Sequence, residues 1–203
     1  TAIRSFEVFP IPVEPRGVTV RVPHPVTEMR ALPANRSDRR YAAVASGQRL
    51  LLLGGPRRLV WEAGLPAPAL ALDVCDLAAD GQPEIVVSAG TGLYCYDFAG
   101  NLVWEAQCPQ DAYAPEVEPQ QGPLRVIKCD DLDGDGESEI IAGAGNWFVY
   151  VFDSEGRPKW GKLNWAHQPT SIATVSLPGE AQKAILVGTT YNDANLFSGD
   201  GRA

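Results

Sequence analysis

Residues 129–152, CDDLDGDGESEIIAGAGNWFVYVF, decide how this chain is read. Asp131, Asp133, Asp135, Glu137 and Glu139 fall on alternate positions, with Gly134 and Gly136 between them. A strand-forming run follows, with Ile140, Ile141, Phe148, Val149, Val151 and Phe152. A hard cation such as Ca2+ takes about six to eight oxygen ligands. Alternation in a glycine-bent loop folds several carboxylates around one point, with Glu139 closing the cage as the next strand begins. Six acids within residues 130–139 repel one another, and a divalent ion removes that repulsion. The plain alternative is a solvated acidic turn. An EF-hand needs a helix on each side of its loop, and these flanks favour strands.

The stretch is one copy of a repeat. Asp76-Leu-Ala-Ala-Asp80-Gly-Gln-Pro-Glu84-Ile-Val-Val falls on Asp131-Leu-Asp-Gly-Asp135-Gly-Glu-Ser-Glu139-Ile-Ile-Ala. Downstream, Leu93 to Trp104 matches Val149 to Trp160, each with Asp, Gly and Trp in the same places. A third copy runs from Ile172 to Gly201. A weaker one precedes them, with Leu59-Val-Trp61-Glu repeating Leu102-Val-Trp104-Glu. Repeat periods of about 20 to 50 residues signal solenoids, propellers or arrays. Each copy reads as strand, loop, strand, glycine turn, strand, Asp/Gly hairpin, strand, which is the blade of a β-propeller. The expected fold is all-β: blades of four antiparallel strands at about 24–66, 67–122, 123–168 and 169–203, the last incomplete, behind an extended N-terminal segment, 1–23.

The Asp-x-Asp-x-Asp-Gly-x-x-Glu loop, the Ile-Ile-Ala-Gly strand and the Phe-Asp-x-x-Gly-x-x-x-Trp hairpin resemble FG-GAP/VCBS-type propeller repeats. Such repeats occur in integrin α-subunit heads, secreted bacterial proteins and propeller-fold polysaccharide lyases. The resemblance covers about residues 24–203 and is strongest in the copy at about 123–168. It implies Ca2+ in the loop between the first and second strands of a blade. Asp131, Asp133, Asp135 and Glu139 would ligate through side chains and Glu137 through its carbonyl. Where the family often ends this loop with Asp, this chain has Glu139. The second copy has Ala78 where Asp133 stands, and the last copy, Ser176 to Ala184, has lost nearly every ligand. The first has Arg36, Arg39 and Arg40 there, so one calcium is expected. The resemblance also implies an extracellular or secreted setting.

Composition bounds the rest. The chain has 203 residues, 45% of them hydrophobic, and no apolar run approaches the ~18 residues of a membrane span. It opens on Thr1, which is expected of a mature, processed or excised form. The net charge of −8 divides unevenly: residues 1–58 hold ten Arg against four acids, and the remainder is strongly acidic. An acidic chain lacks the electrostatic footprint of a nucleic-acid binder. Four cysteines (Cys75, Cys95, Cys108, Cys129) permit disulfides but read more simply as buried thiols, and Asn35-Arg-Ser37 is a glycosylation sequon.

Strand order assigns the faces. Loops joining strands 1–2 and 3–4 of a blade emerge on one face, with the acidic loop and Arg36, Arg39, Arg40, Arg57 and Arg58. The 2–3 turns and the crossovers emerge on the other. Trp61, Trp104 and Trp160 recur at one repeat position and read as packing residues, whereas Trp147 and Trp165 do not recur. With His167, Tyr191, Asn192 and Asp193 they are expected to converge on the calcium-free face, joined by the insertion 107–123 with Tyr113. Aromatics flanked by amides and carboxylates suit sugar rings; the competing reading is that they plug the channel or fill gaps between blades.

Two functions remain open: a non-catalytic, calcium-stabilised module binding a glycan or a protein, and a polysaccharide lyase with His167 and Asp193 as its pair. The ring has three routes to completion: residues of a larger propeller, other chains or copies, or the segment Ile3 to Phe9 as a closing strand.

Overall fold

The computed structural model describes residues 22, 24–33, 40–55, 58–112, 114–165, 167–191 and 193–201. All regular structure among them is β. Blade 1 contains β1 (Val26–Ala31), β2 (Tyr41–Ser46), β3 (Arg49–Gly54) and β4 (Arg58–Gly64). Blade 2 contains β5 (Ala69–Cys75), β6 (Glu84–Ala89), β7 (Gly92–Tyr96) and β8 (Leu102–Gln107). Blade 3 contains β9 (Leu124–Asp130), β10 (Glu139–Ala144), β11 (Phe148–Phe152) and β12 (Pro158–Leu163). Blade 4 contributes β13 (Pro169–Ser176), β14 (Lys183–Thr189) and β15 (Ala194–Ser198). Each sheet is an antiparallel meander in chain order. The innermost strands lie side by side, β1 against β5, β5 against β9 and β9 against β13, so the sheets stack as propeller blades. The segment Ile3 to Phe9, and with it the closing-strand expectation, lies outside the described residues. So do Arg36, Arg39, Arg57, Asn35 and Tyr113.

The stacking follows from strand alternation. Successive side chains of a strand point to opposite faces, and both faces of a middle blade are apolar. In blade 2, Val86 and Cys95 face blade 3 and meet Ile140, Ala142, Tyr150 and Phe152. Ile85, Val87 and Tyr94 face blade 1 and meet Ala43, Leu50 and Leu52. In blade 3, Ile141 and Val151 face blade 4 and meet Ile185 and Val187. Burying a side chain of this kind contributes about 1.5–3 kcal/mol, so no blade is stable without a neighbour.

Two repeated devices set the register between blades. The first uses the recurring tryptophans. Trp61 donates its indole N–H to the Phe98 carbonyl at 2.9 Å, Trp104 to Ser154 at 3.1 Å and Trp160 to Gly199 at 3.0 Å. Each acceptor sits in the turn that follows the third strand of the next blade. Each ring lies over a hairpin glycine with positive φ: Gly100, Gly156 and Gly201. A Cβ at Gly156 would stand 2.7 Å from the Trp104 ring, so the hairpin needs glycine both for its turn and for the ring.

The second device stitches the innermost strands. Among the described residues their inner edges have no ladder partner, and their N–H groups need acceptors. Glu28 accepts the Leu72 N–H at 2.8 Å, and Asp73 accepts the Cys129 N–H at 2.9 Å. Asp130 accepts the Thr174 hydroxyl. Asp73, nearly buried, also pairs with Arg30 at 3.4 Å and Lys128 at 3.3 Å. Arg30, Asp73 and Lys128 occupy one register position on three successive inner strands. Their charges alternate around the inside of the stack.

All four cysteines are free thiols, with Cys95, Cys108 and Cys129 buried. Burial pushes the Cys108 thiol up to about 11 and raises Cys95 further. A hydrogen bond with Cys75 and burial raise Cys129. Such thiols are poor nucleophiles.

Glycine substitutions separate turn strain from clasp crowding. Gly179, with φ +87°, has open space around its Cβ position. Gly179→Ala should lose only the left-handed penalty, about 1 kcal/mol. Gly156→Ala, with φ +79°, should lose about 1–3 kcal/mol more by displacing the Trp104 ring. Urea unfolding of both variants measures the difference; equal losses would remove the clasp from the account.

Candidate functional site

The acidic loop joins β9 to β10 on the face that also carries the hairpins, and Ser154 of the 3–4 turn donates to Glu137 at 2.6 Å. Backbone amides shape it. Asp131 accepts N–H bonds from Gly134 at 2.7 Å and Gly136 at 3.1 Å. Asp133 accepts from Asp135 at 3.3 Å, and Asp135 from Glu137 at 2.8 Å. Buried Glu139 reaches back to the Leu132 N–H at 2.9 Å. Of the five predicted acids, Asp131, Asp133 and Glu139 bring one oxygen each within 4.8 Å of one another. Asp135 and Glu137 are not in that group and spend their carboxylates on the loop itself and on Ser154.

Lys159, on β12, completes the cluster. Its ammonium lies 2.8 Å from Glu139 Oε1 and 3.3 Å from Asp133 Oδ2. The bond with Glu139 raises its pKa above the ordinary lysine value, so it is a permanent positive charge. The repeat carried a sign of this residue: Val60 and Val103 occupy the position before Trp61 and Trp104, and only the blade with the full acidic loop has Lys there.

The corresponding loop of blade 2 adopts a similar bond pattern with fewer acids. Asp76 accepts from Asp80 and Gly81 at 3.0 and 2.8 Å, and Glu84 from Leu77 at 2.8 Å. Burial pushes the Glu84 carboxyl up. Neighbouring loops also dock by one repeated bond, Ser138 N–H to Leu77 and Lys183 N–H to Leu132. The loop conformation therefore rests on backbone amides donating to Asp131, Asp135 and Glu139, the counterparts of Asp76, Asp80 and Glu84, and the acids that blade 3 adds are Asp133 and Glu137.

The other face is knit around Asn164, which is fully buried in the crossover from β12 to β13. Its N–H donates to the Trp147 carbonyl at 2.7 Å. Its side-chain amide donates to the His167 carbonyl at 3.1 Å and its oxygen accepts from Asn195 at 2.7 Å. One asparagine thus ties the 2–3 turn of blade 3, the crossover and blade 4. The turn at Trp147 is one residue longer than its counterpart in blade 2, and Trp147 adopts φ 72°. Asn146 supports it, donating to Tyr150 Oη at 2.9 Å and to the Gln120 carbonyl at 3.0 Å. Tyr150 in turn donates to Asp111 at 3.0 Å, which anchors the insertion before β9.

On this frame the His167 ring lies 4.4 Å from the Tyr191 ring, inclined at 44°. His167 Nε2 is 3.9 Å from Asp193 Oδ2, beyond hydrogen-bond reach. His167 Nδ1 is out of solvent contact, with no hydrogen-bond partner among the described residues. Trp165 is 78% exposed, with φ 39°, and Tyr191 is 67% exposed. The structure thus brings His167, Tyr191 and Asp193 together, sets Trp147 and Trp165 in the adjoining turns, and leaves Asn192 outside the described residues. Asn164, the hub, gave no sequence signal, because it occurs once and its partners lie on three separate elements.

No family model matches the chain, and no curated protein matches it. Solved structures of similar shape do. One is BBS1N in complex with ARL6DN (14% identity, 90% of this chain and 54% of that one, TM-score 0.62). Another is BamB from Moraxella catarrhalis (12%, 90% and 50%, TM-score 0.60). A third is the Neurospora crassa Pan2 WD40 domain (11%, 86% and 47%, TM-score 0.60). The chain spans about half the length of these proteins. The likeness, together with the stacked meanders, establishes a fold built of β-propeller blades.

Two outcomes are expected from the site's charges. Lys159→Met leaves the buried Glu139 without its cation and should cost about 1–3 kcal/mol in chelator-treated protein, by denaturant titration. The second concerns acid. Burial opposes ionisation of Asp130, but bonds from Lys183 and Thr174 hold its carboxyl below the ordinary 3.8. Asp97 and Asp153 are lowered too: burial again opposes, and hairpin bonds from Asn101 and Arg157 prevail. Groups with depressed folded-state values add stability in full above the unfolded value and lose it as pH falls through the folded one. The melting temperature should therefore hold down to about pH 4 and drop below it, and Asp130→Asn should make that drop shallower.

Proposed function

We propose that this chain is a non-catalytic recognition module. In this reading it engages a protein partner on the face that carries Trp165, His167, Tyr191 and Asp193. The observation that carries it is the pairing of two largely exposed aromatic side chains with the buried Asn164 hub. Exposed aromatics on a rigid support lose little conformational freedom on binding and are enriched at interface anchors. The solved structure of BBS1N, similar in shape, is a complex with ARL6DN, which supports a protein ligand over a sugar. His167 and Asp193, at 3.9 Å on an exposed surface, lack the hydrogen-bonded geometry of a base and its orienting group. The lyase reading has no further support. An extracellular setting belongs to this proposal as the repeat resemblance implies it.

The acidic loop is proposed as a stabilising Ca2+ site. Asp131, Asp133 and Glu139 fit a hard cation by donor type and spacing. When bound, the ion would neutralise their charge, which Lys159 balances in its absence. Ion and ammonium therefore compete for Asp133 and Glu139.

Binding is tested by immobilising the chain and its Trp165→Ala/Tyr191→Ala variant and probing each with the proteome of the source organism and with a glycan array. A protein retained at least ten-fold better by the parent supports the reading. Equal retention contradicts it, and retention of glycans alone transfers the face to sugar recognition. Calcium is tested by thermal melts in Ca2+ and in EDTA. A rise of several degrees in Ca2+, larger in Lys159→Met, is expected; identical melts for both proteins would remove the ion.

A further inference from the structure

We propose that Cys75 and Cys129 are a paired oxidation site, whose disulfide staples blade 2 to blade 3 beneath the acidic loops. Cys75 ends β5 and Cys129 lies near the end of β9, the innermost strands of the two blades. These strands run side by side, with Cα atoms within 8 Å of each other. Alternation gives each sulfur its direction. Ala71 and Cys75 lie on the face of β5 that meets blade 3, and Ile127 and Cys129 on the face of β9 that meets blade 2. The two thiols enter one interface from opposite sides and share a hydrogen bond.

The interface is fixed on both sides of the pair. Before it, Asp73, two residues from Cys75 on the same strand face, accepts the Cys129 N–H at 2.9 Å. After it, the Asp76 carbonyl accepts the Ser138 hydroxyl at 3.3 Å, and the Leu77 carbonyl accepts the Ser138 N–H at 3.1 Å. A disulfide needs Cα atoms about 4.4–6.8 Å apart and is strained when the backbone must move to meet that. Bonds that hold both flanks leave the two sulfurs little room to separate. The other cysteines are placed differently. Cys95 is completely buried on β7, and Cys108, just after β8, is buried and donates to the Pro109 carbonyl at 3.4 Å. Of the four, Cys75 alone is partly exposed, so a reagent enters there.

The oxidant is a low-molecular-weight disulfide such as oxidised glutathione. The Cys75 sulfur gives up its proton to solvent, attacks one sulfur of the reagent and expels the other half as a thiol. This leaves a mixed disulfide at Cys75. The Cys129 sulfur, losing its own proton, then displaces the remaining glutathione as a second thiol. Two protein S–H bonds and one reagent S–S bond become one protein S–S bond and two glutathione thiols, and two electrons pass from protein to reagent. The new bond closes the loop 75–129. Cross-linking a long loop removes freedom from the unfolded chain, so the oxidised form is the more stable one. The site uses none of the residues assigned to partner binding or to the ion, and it stands or falls apart from both.

The full chain, purified reduced, is incubated with oxidised glutathione, then denatured, alkylated and mapped by mass spectrometry. Alkylated cysteines should fall from four to two, with the peptides of Cys75 and Cys129 linked, and dithiothreitol should restore all four. The melting temperature should rise by about 5–10 °C on oxidation, a shift absent in Cys75→Ser. Cys129→Ala should stop at the intermediate and carry one glutathione on Cys75. Four free thiols after oxidation, a bridge through Cys95 or Cys108, or a parent that remains a glutathione adduct at Cys75 overturns the proposal. Should Cys129→Ala fail to fold, Cys75→Ser serves in its place: it should take up no glutathione and form no bridge, and either product would overturn the proposal.

Discussion

A single blade of this protein cannot hold itself together, and the tryptophan-on-glycine clasp between blades is the constraint on which the rest depends. The middle sheets carry two apolar faces, and every described blade buries at least one face against a neighbour. Hydrophobic contact alone would leave the sheets free to slide, because it is non-directional. The indole N–H bonds of Trp61, Trp104 and Trp160 give that contact a register. The carboxylates Glu28, Asp73 and Asp130 do the same at the inner strands. With outer and inner strands both located, the loops of neighbouring blades must meet. The acidic loop then docks on its neighbours, and the crossover Asn164 reaches two blades.

Much of this architecture was legible beforehand, for a physical reason. A repeat writes the same local solution several times, so Trp61, Trp104 and Trp160 could be separated from Trp147 and Trp165 by recurrence alone. Strand order then fixed which loops share a face, and the bonds from Ser138 to Leu77 and from Asn164 to Trp147 follow that assignment. What could not be read were interactions made once and across the fold. The Arg30–Asp73–Lys128 series lies on three strands roughly fifty residues apart, and its members share a register only after the blades are stacked.

The acidic loop shows the same boundary within one motif. Alternating carboxylates suggested a cage of four side chains and the Glu137 carbonyl. Asp135 and Glu137 turn to the Glu137 N–H and the Ser154 hydroxyl, and Asp131, Asp133 and Glu139 remain grouped. The loop of blade 2, with a similar bond pattern, shows that Asp131, Asp135 and Glu139 shape the turn while Asp133 and Glu137 add charge to it. Lys159 supplies the counter-charge from the outer strand, where the repeat otherwise places valine.

Exchange of the indole protons with solvent deuterium, followed by NMR at neutral pH, tests the clasp most directly. Trp61, Trp104 and Trp160 should exchange far more slowly than Trp165, whose side chain is largely exposed. Clasp indoles exchanging as fast as Trp165 would show that the blades are not held in register by these bonds, and the stacking account would not stand.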